Sequence, residues 1–212
     1  ASLKSNVTKF IQVSTDEVYG SISSGSWSES EPIQPNSPYA ASKAGGDLIA
    51  LAYHRTHGLN VIVTRSSNNY GPYQFPEKLI PLFVTNLIEN KQIPIYGNGL
   101  NLRDWLHVDD HCDGIFLALT RGKTGQIYNI GGGIELTNKQ ITNEILKLLN
   151  SDESSIIYVE DRKGHDLRYS INCDKISNQL GYRAKVKFVE GLSQTVDWYT
   201  KNRAWWEPLK QK

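Results

Sequence analysis

The run Lys9-Phe10-Ile11-Gln12-Val13-Ser14-Thr15-Asp16-Glu17-Val18-Tyr19-Gly20 decides how this chain folds, with Pro35-Asn36-Ser37-Pro38-Tyr39-Ala40-Ala41-Ser42-Lys43 close behind it. Lys9 to Ser14 alternates and is β-branched, so it predicts a strand delivering Ser14 to Glu17 at its carboxyl end. In open parallel sheets that end is where ligands sit. Side chains of an extended run alternate faces, so Asp16 and Glu17 are expected to reach different sides of whatever lies above them. One acid and one base working on neighbouring atoms suit that placement.

Two prolines then hold an extended entry, and Tyr39 is expected to open a helix reaching about His57-Gly58, where glycine makes a stop. Residues four apart share one helical face, so Lys43 lies one turn beyond Tyr39. A phenol titrates near ~10, and an adjacent ammonium would lower that value and make tyrosine a usable base. A tyrosine packed at a helix start with a solvated lysine is the plainer reading of the same pair. The acidic couple on the preceding strand favours chemistry.

Asn60-Val61-Ile62-Val63-Thr64-Arg65 is continuously apolar and β-branched up to Thr64, as a buried parallel strand should be. Strand, helix, strand in that order argues for an α/β fold with a doubly wound parallel sheet. Asn68 should then stand at the same sheet edge as Asp16, carrying both a donor and an acceptor. Downstream we expect a helix over about 79–90, a short strand and turn over 94–99, and a strand over 125–131 returning to a sheet. A helix over 141–149, a strand over 156–159, and helices over 173–180 and 192–199 follow. Residues 1–8 read as the tail of a helix, and Ser21 to Ser30 as a Ser/Gly-rich loop, either flap or plain surface. Trp205 and Trp206 should anchor the tail.

At 212 residues, 21% charged and net charge +1, the chain offers no basic face for nucleic acid. No apolar run approaches the ~20 residues of a membrane span, and no signal-peptide pattern is present. Cys112 and Cys173 lack metal-ligand spacing and read as buried reduced thiols; no metal site is expected. No G-x-G-x-x-G turn follows an early strand, although that fingerprint sets a dinucleotide pyrophosphate on a helix N-terminus. Gly131-Gly132-Gly133 does not replace it, because acidic Glu135 follows.

The chain resembles the extended short-chain dehydrogenase/reductase family, and within it the nucleotide-sugar 4,6-dehydratases. The likeness runs from about Lys9 to Leu209. It rests on Thr15-Asp16-Glu17, Tyr39 with Lys43, Ser67-Asn68-Asn69-Tyr70-Gly71-Pro72-Tyr73, Pro76 to Pro81, Arg103-Asp104-Trp105-Leu106-His107-Val108, Tyr128 to Gly132 and Asp161-Arg162-Lys163-Gly164-His165-Asp166. The Tyr/Lys pair marks the superfamily; the Asp-Glu pair separates dehydratases from 4-epimerases.

The resemblance implies NAD as cofactor, dTDP-glucose as substrate, a homodimer and a cytoplasmic enzyme. It implies catalytic roles for Thr15, Asp16, Glu17, Tyr39 and Lys43, with Tyr39 and Lys43 also on the cofactor. It implies substrate contacts at Asn68, Lys78, Leu79, Pro94, Tyr96, Arg103, Asn138, Arg162 and His165. Asn138 reads equally as a helix cap. Arg103 taken alone would more often be a surface ion pair; beside Arg162 and His165 it reads as a diphosphate contact. The resemblance further implies that a segment bearing the glycine turn comes before Ala1. It divides the chain into a partial dinucleotide-binding domain over 1–72 and a nucleotide-sugar domain over 73–212, with 100–133 returning to the sheet.

Overall fold

In the computed structural model, which describes residues 1–210, strand β1 (Phe10–Thr15) pairs in parallel with β2 (Val61–Ser66). On its other side β2 pairs in parallel with β6 (Ile127–Ile130), giving a three-stranded sheet of order β1-β2-β6. Every residue of β2 is buried, which is why its sequence is a continuous β-branched run rather than an alternating one. Val61 and Val63 face helix α1 (Pro38–His57), packing with Ala50 and Leu51. Ile62 faces the opposite side, with Ala118 of α3 (Val108–Arg121) and Ile176 of α5 (Asp174–Leu180). Helices therefore cover both faces, the α/β arrangement expected from the strand–helix–strand order.

α1 begins where its chemistry says it should. Ser37 caps it by accepting the Ala40 N–H at 3.1 Å, and Pro38 occupies the first turn, where its missing N–H costs nothing. It ends at Gly58, whose φ of 67° is the left-handed cap that glycine takes without strain.

A second layer grows out of β2. After Ser67 the chain continues as β3 (Asn68–Tyr70), which pairs in parallel with β5 (Leu102–His107). β5 in turn pairs antiparallel with β7 (Glu135–Thr137), and β4 (Ile93–Tyr96) pairs in parallel with β8 (Ile156–Val159). Helices α2 (Leu79–Ile88), α4 (Asn138–Leu148) and α6 (Phe188–Lys201) enclose a separate core that includes Phe83, Ile93, Ile145, Leu192 and Trp206.

Several local expectations are corrected. Residues 2–6 form turns instead of a helix tail, with Asn6 in left-handed backbone (φ 48°) ending the one helical bond from Ser5 N–H to the Ala1 carbonyl. Asp16 and Glu17 are not on extended chain: Asp16–Tyr19 is a 3-10 turn capped by Thr15, whose hydroxyl accepts the Glu17 N–H. Thr137 rather than Asn138 caps α4, in a reciprocal box with Gln140. A further helix, α7 (Arg203–Lys210), follows α6 and contains both tail tryptophans. Trp206 is fully buried and donates its indole N–H to the Tyr199 carbonyl, which holds the tail in place despite Pro208. Cys112 is exposed and Cys173 only half-buried; both are free thiols.

The polar core is organised by Arg65. It lies inside β2 at 1% exposure, and its Nε donates to Asp47 Oδ2 of α1 at 2.9 Å. Its guanidinium stands 4.6 Å from the centre of the Tyr19 ring. Tyr19 donates to Asn129 Oδ1 of β6 at 2.9 Å, and Asn129 donates to the Trp27 and Asn172 carbonyls. A charge left alone here has no water to turn to. Asp47→Ala should therefore cost about 3–5 kcal/mol, whereas Asp47→Leu with Arg65→Met should recover most of it, because removing both charges removes the stranded one. Urea unfolding midpoints of the two variants check this.

Candidate active site

The 3-10 turn that ends β1 presents two carboxyls to different surroundings. Asp16 is 2% exposed; its Oδ1 accepts from the Thr15 hydroxyl at 3.3 Å, and its Oδ2 is buried without a partner. Burial, then the negative charges of Glu17 and Asp104, push its pKa up to about 8 against the pull of Arg103. A carboxyl so placed holds a proton near neutrality. Glu17 is half-buried, and burial raises its pKa too, while Arg103, Arg162 and Lys78 oppose the rise.

Tyr39, in the first turn of α1, is 56% exposed and lies within electrostatic reach of both carboxyls. Its pKa is raised, chiefly by burial and then by Glu17, with Lys78 acting the other way. The spacing-based expectation that Lys43 lowers this value is not met. Lys43 shares the face but spends one N–H on the Val13 carbonyl at 2.6 Å, drawing its ammonium down toward the sheet edge. Its other two donors are free for further partners.

Arg103, the second residue of β5, is a buried cation and not the surface ion pair its type suggests. It donates to the carbonyls of Leu102 (2.8 Å), Leu167 (3.2 Å) and Asp166 (2.7 Å), and its guanidinium covers the Tyr169 ring at 4.4 Å. Burial lowers its pKa, while Asp16, Glu17 and Asp166 hold it up. The 161–167 loop that it braces carries Arg162 and His165. Arg162 donates to His165 Nε2 at 3.0 Å, so the Nδ1 hydrogen of His165 is the one directed to Asp161 Oδ1 at 2.6 Å. Arg162 also stands 5.3 Å from the centre of the Tyr96 ring, at the end of β4.

The structure thus gathers Asp16, Glu17, Tyr39, Lys78, Arg103, Arg162 and His165 around one polar cleft at the carboxyl end of β1 and the amino end of β5. Asn68, half-buried on β3, pairs with Trp105 and faces the same edge of the sheet. Lys78 is the exposed residue before α2 and Leu79, its first residue, is half-buried against the core, while Pro94 pairs with Ile157 in the outer β4–β8 sheet. Asn138 is tied in by its backbone, donating to the Asn101 carbonyl, while the Asn101 side chain donates to the Asp166 carbonyl.

Two residues at the cleft were not singled out as site residues from the sequence. Asp166 accepts from Asn36 at 2.6 Å and from the Tyr169 hydroxyl, tying the 161–167 loop to the entry of α1. Tyr169 has no neighbouring motif; only its place under Arg103 reveals it. Asp166 could have been singled out within Gly164-His165-Asp166.

Two surface cavities, one beside Leu87 and Lys91 and one between Glu29 and Lys175, include none of these residues. Among the described residues there is no group of three or more His, Cys, Asp or Glu able to hold a metal ion, and no helix is long and apolar enough to cross a membrane.

A sequence model of the GDP-mannose 4,6 dehydratase family matches residues 1–195. The chain is 58% identical to the dTDP-glucose 4,6-dehydratase of Streptomyces antibioticus over 212 residues, covering 100% of this chain and 63% of that protein. Among solved structures it is similar to DesIV, a dTDP-glucose 4,6-dehydratase from Streptomyces venezuelae with NAD and TYD bound. That match has 61% identity and a TM-score of 0.97, and covers 98% of this chain and 65% of that one. It is also similar to the dTDP-glucose 4,6-dehydratase of Bacillus anthracis in complex with NAD, at 55% identity and a TM-score of 0.91, covering 95% and 64%. The chain therefore spans less than two thirds of the length of these relatives. With its acidic turn, exposed tyrosine and basic loop set around one cleft, the chain belongs to the GDP-mannose 4,6 dehydratase family.

Proposed function

We propose that this chain carries the acid–base and sugar-nucleotide machinery of a dTDP-glucose 4,6-dehydratase, a hydro-lyase that uses NAD. The observation that carries the reading is a buried Asp16, its Oδ2 without a partner, next to Glu17 and beside an exposed Tyr39. On this reading 1–72 face the dinucleotide and 73–212 mainly the nucleotide sugar. Arg103, Arg162 and Lys78 place positive charge where a diphosphate would lie, with Asn68, Leu79, Pro94, Tyr96, Asn138 and His165 as its further surroundings.

Tyr39 and Lys43 would hold NAD on the nicotinamide side. Both have hydrogen-bonding capacity to spare for ribose hydroxyls, Tyr39 through its exposure and Lys43 through its two free donors. NAD, when bound, supplies the hydride acceptor that takes hydrogen from C4 and returns it to C6.

Tyr39 accepts the C4 hydroxyl proton. Because Glu17 and Asp16 oppose a phenolate, positive charge must enter the cleft for it to do so, and Lys43 is the chain's own reserve one turn away. Thr15 turns its hydroxyl from Asp16 to the C4 oxygen, giving up a 3.3 Å bond. The 4-keto group acidifies C5; Glu17 removes that proton, and Asp16 donates to the C6 hydroxyl, which leaves as water. The product is the 4-keto-6-deoxy sugar. An epimerase would need no such acid–base couple, and this is what favours dehydration over that relative.

We place the activity in the cytoplasm, where NAD and nucleotide sugars are both at hand, and in a homodimer. The outer face of α1 exposes Leu48, Ile49 and Tyr53, an apolar strip suited to a second copy.

Protein expressed from the complete reading frame should convert dTDP-glucose to a product lighter by one water, read by mass spectrometry; unchanged product mass would point to epimerisation. Asp16→Asn with Glu17→Gln should slow water loss ~10²–10⁴-fold while C4 oxidation persists as accumulating reduced cofactor. Normal product release by that variant would overturn the assignment of roles.

Asp16 also predicts a stability signature. Its folded-state pKa lies above the unfolded value, so its contribution is complete below about 4 and is lost as pH rises through about 8. Asp16→Asn should melt higher than the parent above that pH, with the difference closing toward acid; thermal melts across the range check the sign.

A further inference from the structure

Two buried carboxyls flank Ser67. β1 pairs Thr15 with Ser66, and β3 pairs Asn68 with Trp105, so Asp16 and Asp104 approach the same short link between the two sheets from opposite sides. Both are almost wholly buried and burial raises the pKa of each, yet their hydrogen bonding is unequal. Asp104 accepts the Gly132 N–H on Oδ2 at 3.0 Å and the Ile134 N–H on Oδ1 at 2.9 Å, so both of its oxygens are met by fixed backbone donors. Asp16 has one long bond from Thr15 and an Oδ2 with nothing on it.

Two like charges in so little water are costly, and the proton goes to the member whose anion is less well solvated. We infer that Asp104 is a positioning residue for Asp16: the backbone turn after β6 holds Asp104 as the charged member of the pair and leaves Asp16 as the member that keeps the proton. The inference deepens the reading of Asp16 as the dehydration acid and rests on it for its functional meaning. The titratable and charged groups facing Asp16 are Glu17 on its own turn, Tyr39 on α1, and Arg103 and Asp104 on β5. Glu17 and Asp104 both raise Asp16, with Glu17 the larger. Arg103 acts the other way.

The turn is built for this. A Cβ on Gly131 would stand 2.6 Å from Asp104 Oδ2 and 3.0 Å from Cys173 Sγ, and one on Gly132 would meet the Trp105 carbonyl oxygen at 1.9 Å. Only glycines let the backbone come close enough for its N–H groups to reach Asp104. The glycine run that does not replace a dinucleotide fingerprint thus has a use in the same cleft.

The test is a residue-resolved carboxyl titration by carbon-detected NMR on aspartate-labelled protein, with no substrate or cofactor added. In the unaltered protein, Asp16 should take up its proton at higher pH than Asp104 as the solution is acidified. Asp104→Asn should lower the Asp16 midpoint by about one pH unit, less than Glu17→Gln does, with amide spectra reporting whether each variant is folded. Asp104 protonating first in the unaltered protein would overturn the inference, whatever the variants do. So would an unmoved Asp16 midpoint in folded Asp104→Asn. Product analysis of the complete protein fails or succeeds independently of these midpoints, so the inference and the proposed reaction can be told apart.

Discussion

A guanidinium buried in the middle of a parallel sheet cannot exist without an answer, and Asp47 is that answer for Arg65. Because Asp47 stands on α1 and Arg65 on β2, this single contact fixes how far along the sheet the helix sits and which way it is turned. Tyr39 and Lys43 ride on the same helix, about two turns and one turn nearer its start. Their height above the end of β1 is thus set by a charge pair that takes no part in their chemistry. The stacking of Arg65 on Tyr19 carries the constraint into the acidic turn, since Tyr19 closes the 3-10 segment that holds Asp16 and Glu17. Helix, sheet and acidic turn are positioned together.

The cleft itself is a balance of opposed charges. Asp16, Glu17, Asp104 and Asp166 are met by Arg103, Arg162 and Lys78, and no one pair settles the sum. Arg103 is central because it donates to carbonyls of the 161–167 loop and lies over Tyr169, which brings the basic loop across to the acidic turn. Burial then decides the sign for the carboxyls: even with arginines close by, Asp16 and Glu17 are both less acidic than in water. The same burial, together with the negative charges, works against the phenolate of Tyr39.

Much of the fold could be read from local pattern. The continuous apolar run of β2, the capped start and glycine stop of α1, and the strand–helix–strand order all report on short-range physics. The misreadings share a cause. Asp16 and Glu17 looked extended because a strand precedes them, but the Thr15 hydroxyl captures the Glu17 N–H and winds the chain into a 3-10 turn. Lys43 looked like the partner of Tyr39 because helical spacing puts them on one face, yet the Val13 carbonyl competes for its ammonium. Nothing nearby in sequence announces Tyr169, the ring over which Arg103 is buried. The tail helix after Asn202 was hidden by Pro208, whose cost is offset by the burial of Trp206.

The amino-acid sequence alone determined the residue types and their spacing: an acidic couple after a strand, a tyrosine four residues before a lysine at a helix start, and basic residues further on. Those are local facts, set by propensity, capping and periodicity over a few turns of chain. Tertiary structure alone decided how deeply each carboxyl is buried and which donors meet it, where Lys43 points and why Arg103 is buried. Each of those depends on charges and carbonyls brought together from segments some thirty to ninety residues apart. A pKa is the sum of a surrounding, and that surrounding does not exist until the chain has closed around it.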